Sequence, residues 1–421
     1  MANQDTQKPS VRFQGFSGEW IKKKLKNLTE KDFTNGVFND PDKVGSGYRL
    51  INVKDMFSGS SIDIDRLSLI DIDRKEFLKS KVEFGDIFFT RSSLVKEGIA
   101  YSNVNLSTHQ ELTFDGHLIR MQPCRKSAVP IFLSYALKTV NSRRQFILGG
   151  KTTTMTTIGQ SDIAEVKVAI PSTKEQTQIG TFFKKLDRMI ELHQRKQNKL
   201  VTLKQAMLQK MFPQEGASTP EIRFKGFAGE WQENTLGQVI SITSAARVHK
   251  EEWTKAGVPF FRSSDVVSEY KGVSNTKAFI SHDLYEALSA KVGRIQKGDL
   301  LVTGGGSIGI PYLVNNDNPL YFKDADLLWF KIRNALDSRF LYTFLSSVNF
   351  QKYLKNISHI GTIAHYTVEQ ANDTPITFPC KEEQQKIGTY FRKLDNLIAQ
   401  HNTQLQKLKQ IKSACLEKMF V

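Results

Sequence analysis

Basic, hydroxyl and glycine residues cluster in a few loops of this sequence, and these residue types could bind the phosphates and base edges of nucleic acid. Arg and Lys reach phosphates and guanine edges, Ser and Thr hydroxyls hydrogen-bond to either, and consecutive glycines bring backbone amides close to a phosphate. The candidates are, in the first half, Arg91, Ser92, Ser93, Lys96, Lys151, Thr152, Thr153 and Thr154, and, in the second half, Arg247, His249, Lys250, Arg262, Ser263, Gly304, Gly305, Gly306, Ser307, His359 and Thr362. For each of them the alternative is an ordinary surface loop.

Motifs that carry enzymatic chemistry are incomplete in this chain. The run Gly304–Gly309, GGGSIG, is similar to a phosphate-binding loop but lacks the Lys-Ser/Thr that follows such a loop in nucleotide hydrolases. The run Asn318–Tyr321, NPLY, differs from the Asn-Pro-Pro-Tyr motif of amino-methyltransferases, and no Gly-rich cofactor loop accompanies it. The carboxylates of Ser61–Asp73 alternate with Ile and Leu, as on an exposed strand face, with a nuclease metal site as the alternative. We therefore predict no catalytic residue, no metal site and no cofactor bound by this chain itself.

The charge of the chain favours a polyanionic partner. Its 421 residues include 59 Lys and Arg against 43 Asp and Glu, a net charge of +16, which predicts an attraction to nucleic acid that weakens as salt rises. A composition of 39% hydrophobic and 24% charged residues is typical of globular proteins, and the length fits about two to four domains. No apolar run is long enough for a membrane helix, the amino terminus is polar, and the cysteines show no Cys-x-x-Cys spacing, so we expect a cytoplasmic protein.

The sequence contains an internal duplication. Arg12–Trp20, RFQGFSGEW, recurs as Arg223–Trp231, RFKGFAGEW, with seven of nine residues identical. Pro171–Phe212 aligns without gaps on Pro379–Phe420, with 20 identities in 42 positions. Between these segments the two halves diverge. The order is therefore variable domain, shared segment, variable domain, shared segment.

Each shared segment predicts one long helix, because roughly 37 residues without proline make a rod of about 55 Å. Apolar residues recur with the 4-3 spacing of a coiled-coil seam, so we expect the two helices to pair antiparallel within the chain. The predicted seam residues are Ile179, Phe183, Leu186, Ile190 and Leu200 in the first helix and Ile387, Phe391, Leu394, Ile398 and Leu408 in the second. Gly180 and Gly388 occupy matched places in the first turns, where either a partner's backbone or the neighbouring domain would pack closely.

The variable regions alternate short β-type runs with turns and short helices, which predicts an α+β class. The expected fold has two similar mixed α/β domains that alternate with two long helices, and the helices pair as an intramolecular antiparallel coiled coil about a pseudo-twofold axis. We place the domains at 1–172 and 214–380 and the helices at 173–213 and 381–421.

The shared segments resemble those of a known family. Each helix is entered by Pro-x-x-x-Glu-Gln-x-x-Ile-Gly-x-(Phe/Tyr)-Phe-x-Lys-Leu-Asp and ends in Leu-x-Lys-Met-Phe, and Arg-Phe-x-Gly-Phe-x-Gly-Glu-Trp precedes each variable domain. The pattern covers essentially the whole chain and is similar to that of the specificity subunit of type I restriction–modification systems.

The resemblance implies a two-part reader of double-stranded DNA. Each variable domain would be a target-recognition domain that reads one half of a split, asymmetric site, and the paired helices would set the gap between the halves. The helices would also hold two methyltransferase subunits, which carry S-adenosylmethionine chemistry on adenine, and restriction/translocase subunits would join the complex through them. The resemblance implies a non-catalytic subunit with no membrane partner, and it transfers no code for the bases that are read.

Two alternatives remain at the level of the sequence. A single-chain DNA methyltransferase or nuclease would need a complete cofactor loop with an intact Asn-Pro-Pro-Tyr motif. A coiled-coil scaffold that does not touch DNA is compatible with the charge outside the helices, which is only +6 because 174–210 and 381–418 carry +6 and +4 of the total. The duplicated frame with divergent loops favours DNA recognition over the scaffold.

Overall fold

The computed structural model describes residues 8–333, 335–358 and 365–421. They form two compact units. The first unit comprises the described chain up to Gln194 together with Asn402–Val421, and the second unit is Arg195–His401. Both boundaries fall in the middle of a long helix, so each unit contains the beginning of one long helix and the end of the other. Among the described residues, no helix is both long and apolar enough to cross a membrane.

The first unit is built from short strands and short helices. The strands are β1 (Ile21–Lys24), β2 (Thr34–Asn35), β3 (Val44–Ile51), β4 (Ser68–Ile70), β5 (Ile87–Thr90), β6 (Ser92–Ser93), β7 (Ser102–Val104), β8 (Leu112–Phe114), β9 (Leu118–Met121), β10 (Lys151–Thr152), β11 (Thr156–Thr157) and β12 (Lys167–Ile170). The helices are α1 (Arg74–Ser80), α2 (Pro130–Ala136), α3 (Val140–Gly149) and α4 (Gln160–Ala164), after which the long helix α5 (Thr173–Lys210) begins. The alternating carboxylate segment Ser61–Asp73 forms a strand only at β4, because its first residues turn through a short 3-10 helix, Ile64–Arg66.

The second unit repeats this construction. Its strands are β13 (Gln232–Thr235), β14 (Ser241–Thr243), β15 (Trp253–Thr254), β16 (Val258–Phe261), β17 (Ala278–Ile280), β18 (Leu300–Thr303), β19 (Pro311–Leu313), β20 (Tyr321–Phe322), β21 (Leu327–Lys331) and β22 (Pro375–Phe378). Its helices are α6 (Leu236–Val239), α7 (Ser263–Lys271), α8 (His282–Val292), α9 (Ser338–Phe344), α10 (Val348–Ser358) and α11 (Val368–Asn372), after which the long helix α12 (Lys381–Lys418) begins.

The two units share most of their sheet topology, although the first also has the sheet β10-β11-β6 and the second the additional strand β15. A four-stranded antiparallel sheet has the order β2-β9-β5-β7 in the first unit and β14-β21-β18-β19 in the second. A second sheet in each unit contains a parallel pair, β3 with β8 and β16 with β20. A third pair joins the strand after the repeated Trp to the strand before the long helix, β1 with β12 and β13 with β22. The frame is therefore duplicated although the sequences that build it have diverged.

Both long helices contain 38 residues and run antiparallel in each unit. In the first unit Lys412 of α12 pairs with Asp187 of α5, with Nζ and Oδ1 2.5 Å apart. In the second unit Lys204 of α5 pairs with Asp395 of α12, also at 2.5 Å. The two bridges join the same two positions of the repeat, and each links the early part of one helix to the late part of the other. The predicted antiparallel pairing is confirmed.

The apolar face of each long helix is buried mainly against a domain. Of the predicted seam residues, Ile179, Phe183, Leu186, Ile387, Phe391 and Leu394 are buried, whereas Ile190, Leu200, Ile398 and Leu408 are half-buried. The buried residues of α5 enter the core of the first unit together with Met419 and Phe420 at the end of α12, and those of α12 enter the core of the second unit together with Met211 and Phe212. Each domain is therefore stabilised by both helices.

In each repeat an arginine of the motif that opens the domain pairs with a buried glutamate at the start of the following long helix, and we call this ion pair the clasp. Arg12 donates from Nε and Nη2 to the two carboxylate oxygens of Glu175 at 2.6 and 2.7 Å, and Arg223 donates in the same way to Glu383 at 2.8 and 2.7 Å. Glu175 is 1% exposed and Glu383 is fully buried. Ser172 caps the start of α5, because its hydroxyl accepts from the Glu175 amide at 3.3 Å. The clasp thus fixes the start of each long helix to the motif that opens its domain.

The matched glycines of the long helices lie against a helix of their own domain. A Cβ on Gly180 would come within 2.6 Å of Ile131 Cγ2, and one on Gly388 would come within 2.7 Å of Arg339 Cβ. Such distances are well inside van der Waals contact, so only glycine permits this approach. Of the two explanations left open by the sequence, packing on the neighbouring domain is the one observed.

Candidate nucleic-acid interface

Two of the predicted loops of the first unit form one small sheet, which we call the reading sheet. It has the strand order β10-β11-β6 and consists of Ser92–Ser93, Lys151–Thr152 and Thr156–Thr157. Lys151 pairs with Thr157 and Thr157 with Ser92, while Thr152 pairs with Thr156 and Thr156 with Ser93. Residues 63 and 65 positions apart in sequence are therefore paired in β6 and β11.

The reading sheet presents positive charge and hydroxyl groups to solvent. Arg91, Lys96 and Lys151 have exposed side chains, as phosphate contacts require. The exposed Thr152 hydroxyl lies 3.0 Å from that of Thr156, which is buried, whereas Thr153 and Thr154 are exposed in the turn between β10 and β11. The arrangement can supply phosphate contacts and hydroxyl contacts from one surface.

The reading sheet is attached to the central sheet of the first unit by the backbone of Arg91. Its amide donates to the His117 carbonyl at 3.0 Å, and its carbonyl accepts from the Ile158 amide at 3.0 Å. His117 is largely exposed and its Nδ1 lies 2.8 Å from Asp115. A side chain in the turn before β9 therefore lies next to the first basic residue of the loop.

The second unit places different residues on the same frame. The amide of Gly304, after β18, donates to the Asp326 carbonyl at 2.8 Å, and the Gly304 carbonyl accepts from the Tyr366 amide at 2.8 Å. Asp326 thus occupies the place that His117 has in the first unit. Because the Gly304 amide is already bonded and the residue is buried, the accessible part of this glycine run is Gly306 and Ser307, which are exposed, with Gly305 half-buried.

The other predicted residues of the second unit differ in how they are held. Arg262 donates to both carboxylate oxygens of Asp265 at 2.8 and 3.1 Å, so its guanidinium is engaged inside the domain. Ser263 donates to the Asp326 carbonyl at 2.8 Å, beside Gly304. Arg247, His249 and Lys250 are exposed before β15, and His359 and Thr362 lie outside the described residues.

Sequence comparison assigns both halves of the chain to one family. Residues 18–202 and 228–410 each match the type I restriction modification DNA specificity domain. The chain belongs to the type I DNA specificity family. It is a specificity subunit, the component that recognises DNA.

Curated relatives agree with this assignment, and a solved structure shares the fold. A protein of Methanocaldococcus jannaschii, provisionally named the MjaX type I restriction enzyme specificity subunit, is 21% identical over 419 residues, which cover 94% of this chain and 91% of the relative. The MjaVIII specificity subunit of the same organism is 23% identical over 305 residues, 70% of each chain. The crystal structure of the type I S subunit of M. genitalium superimposes with a TM-score of 0.66 at 16% identity and covers 98% of this chain and 99% of that one.

The two specificity domains of the sequence differ from the two compact units of the structure. Each domain match runs through a variable region into the long helix that follows it. Each compact unit instead combines the first half of one long helix with the second half of the other. Each unit of the specificity subunit is therefore built from residues of both repeats.

Several residues at this interface have no signal in the sequence. His117 is adjacent to Arg91 only because β5 and β9 are antiparallel neighbours. Leu94 and Met155 lie at the outer end of the reading sheet and expose their side chains. Single apolar residues in loops are too common to single out, so only their placement draws attention to them.

The Gly-Asp turn that opens β5 carries a buried carboxylate with a shifted pKa. Gly85 has a φ of +93°, a region that favours glycine, and Asp86 accepts from the Glu83 amide at 3.0 Å. Burial raises the pKa of Asp86 to about 6, although Arg120 lies 3.7 Å away and acts in the opposite direction.

We expect Asp86 to lower the free energy of unfolding as the pH rises from 4 to 6. The unfolded chain releases this proton near pH 4, whereas the folded protein holds it until about pH 6, so ionisation in this window costs about 3 kcal/mol. Denaturant titrations of the wild type and of Asp86→Asn at several pH values measure the effect. The stability of the wild type relative to the variant should fall through this window and level off above it. A difference independent of pH would contradict the assignment.

Proposed function

We propose that this specificity subunit reads a split, asymmetric site in double-stranded DNA, with one half-site recognised by each unit. The observation that carries the proposal is the contrast within the duplication. The clasp, the helix glycines and the interhelical salt bridges occur twice with the same residues, while the loops on the duplicated frame differ. Identical parts fit a task done twice on identical partners, and different loops fit two different half-sites.

The long helices are proposed to hold two methyltransferase subunits, and restriction/translocase subunits would join through these. S-adenosylmethionine chemistry on adenine belongs to the methyltransferase in this proposal, and the specificity subunit contributes recognition without catalysis. The surplus of basic residues on both helices, +6 and +4, adds to the attraction of the whole chain for DNA.

The test is to map N6-methyladenine in the DNA of cells that express this chain with its neighbouring methyltransferase, against cells that lack the chain. We expect a split asymmetric motif that disappears with the chain. The variant Arg91→Gln/Lys151→Gln should weaken methylation through one half-site, because both side chains are exposed on the reading sheet. The matched control Arg66→Gln changes an exposed arginine elsewhere in the same unit and should leave the motif unchanged.

An in vitro arm makes the result independent of the host. The purified complex of the chain and its methyltransferase should transfer tritiated methyl groups to DNA that carries the motif. Methylation that persists without the chain, or a complex that binds all DNA equally, would overturn the proposal.

A further inference from the structure

The reading sheet is layered from its attachment to its outer end. The innermost row is Lys151, Thr157 and Ser92, next to Arg91, and the second row is Thr152, Thr156 and Ser93. The one basic residue of these two rows, Lys151, therefore lies with Arg91 near the attachment, and hydroxyl residues occupy both rows. Continued by one residue, the register of Thr156 with Ser93 would place Met155 next to Leu94.

The outermost residues of this sheet are apolar and exposed, and we call Leu94, Val95 and Met155 the apolar tip. Leu94 is 86% exposed, Val95 61% and Met155 39%. An unbranched Met and a Leu at the end of an otherwise basic and hydroxylated surface lose contact with water only when a ligand covers them. The charge around them, from Arg91, Lys96 and Lys151, selects a polyanion as that ligand.

The dimensions of the reading sheet match the major groove. Leu94 and Met155 adjoin the neighbouring strands β6 and β11, which lie about 4.8 Å apart, and a two-stranded ribbon fits the groove width of about 12 Å. The apolar tip lies two residues beyond the basic row, an extension of about 6–7 Å at the usual rise of a strand, and the groove is about 8.5 Å deep. With the basic row at the level of the phosphates, the tip reaches the base edges.

Base edges offer one apolar group in the major groove, the C5 methyl of thymine. We propose that the apolar tip contacts a thymine methyl group, so that the half-site read by the first unit contains a thymine recognised by Leu94 and Met155. This inference rests on the proposed function and adds to it the chemical identity of one contact. Arg91 and Lys151 then act on phosphates and fix the depth at which the tip sits.

The experiment replaces each thymine of the mapped motif, one at a time, with deoxyuridine, which pairs identically and lacks only the methyl group. Binding of the purified complex of the chain with its methyltransferase is measured by fluorescence anisotropy. One substitution in one half-site should weaken wild-type binding about fourfold, the effect of removing one buried carbon. The same substitution should have no further effect on Leu94→Ser/Met155→Ser, since the contact is already lost.

One control variant and a change of salt keep the result interpretable. Leu78→Ser changes a leucine of α1 that is 59% exposed in the same unit, and it should keep the full deoxyuridine effect. If the double variant binds too weakly for measurement, lower salt strengthens the phosphate contacts and restores a measurable affinity.

The outcomes separate this inference from the function on which it rests. A wild-type complex that binds no split motif defeats the proposed function and the inference together. A complex that binds its motif but tolerates deoxyuridine at every thymine overturns the inference alone. An equal loss for the wild type and the double variant also overturns it, because other residues would then contact the methyl group.

Discussion

Seven-residue insertions placed in both long helices should lengthen the gap in the recognised DNA site by one to three base pairs while leaving both half-sites unchanged. The insertion points lie between Asp187 and Lys204 in α5 and between Asp395 and Lys412 in α12. Each salt bridge then stays within its own unit. Seven residues add about 10 Å of helix, a base pair rises about 3.4 Å, and a heptad returns to nearly the same helix face. Methylation mapping gives the new gap directly.

The matched control for this experiment inserts seven residues in α5 alone. The two helices would then differ in length between the salt bridges, so both bridges could not form together. We expect this variant to lose methylation of every site rather than shift the gap. An unchanged gap with insertions in both helices would show that the helices do not act as the spacer.

Removing the arginine of the clasp should be among the most destabilising single changes in the first unit. Arg12→Leu leaves the carboxylate of Glu175, which is 1% exposed, without its guanidinium. Breaking a buried pair from one side costs about 3–5 kcal/mol. The free energy of unfolding from denaturant titration measures the effect, and Arg223→Leu should give a similar loss in the second unit because Arg223 contacts Glu383 in the same way.

Two comparisons show whether burial causes the loss. Arg12→Leu/Glu175→Leu should recover most of the stability, since the uncompensated buried charge is gone. Lys210→Leu removes one partner of a solvent-exposed pair with Glu221 and should cost about 1 kcal/mol or less. A loss for Arg12→Leu no larger than that of Lys210→Leu would mean that the clasp contributes little to folding.

The long helices are the part of the fold that local sequence patterns predict best. The starts of the helices follow from an uninterrupted apolar repeat that begins after Pro171 or Pro379, because helix formation depends on residues three and four positions apart. Their ends differ from the prediction, since α5 ends at Lys210 and α12 at Lys418, three residues before the expected limits. The motif that identifies the family is also contiguous. Arg12 and Glu175 are recognisable in the sequence as repeated residues of this motif, but only the fold shows that they contact each other.

The reading sheet is a feature that the sequence alone does not predict. Loops with Arg91 and Lys151 are visible as basic segments, yet their union in one sheet depends on strands of two residues, too short to leave a periodic signal. In the sequence Arg262 is a basic loop residue like Arg91, but in the structure its guanidinium forms an ion pair with Asp265.

By itself, the sequence determined the duplication, the two long helices and the family, since each is written in contiguous residues. The tertiary structure decided which side chains meet, how each unit takes halves of both helices, and which apolar residues reach the end of the reading sheet. These features depend on contacts between residues far apart in the chain, and the free energy of such contacts comes from packing in the folded state rather than from local propensity.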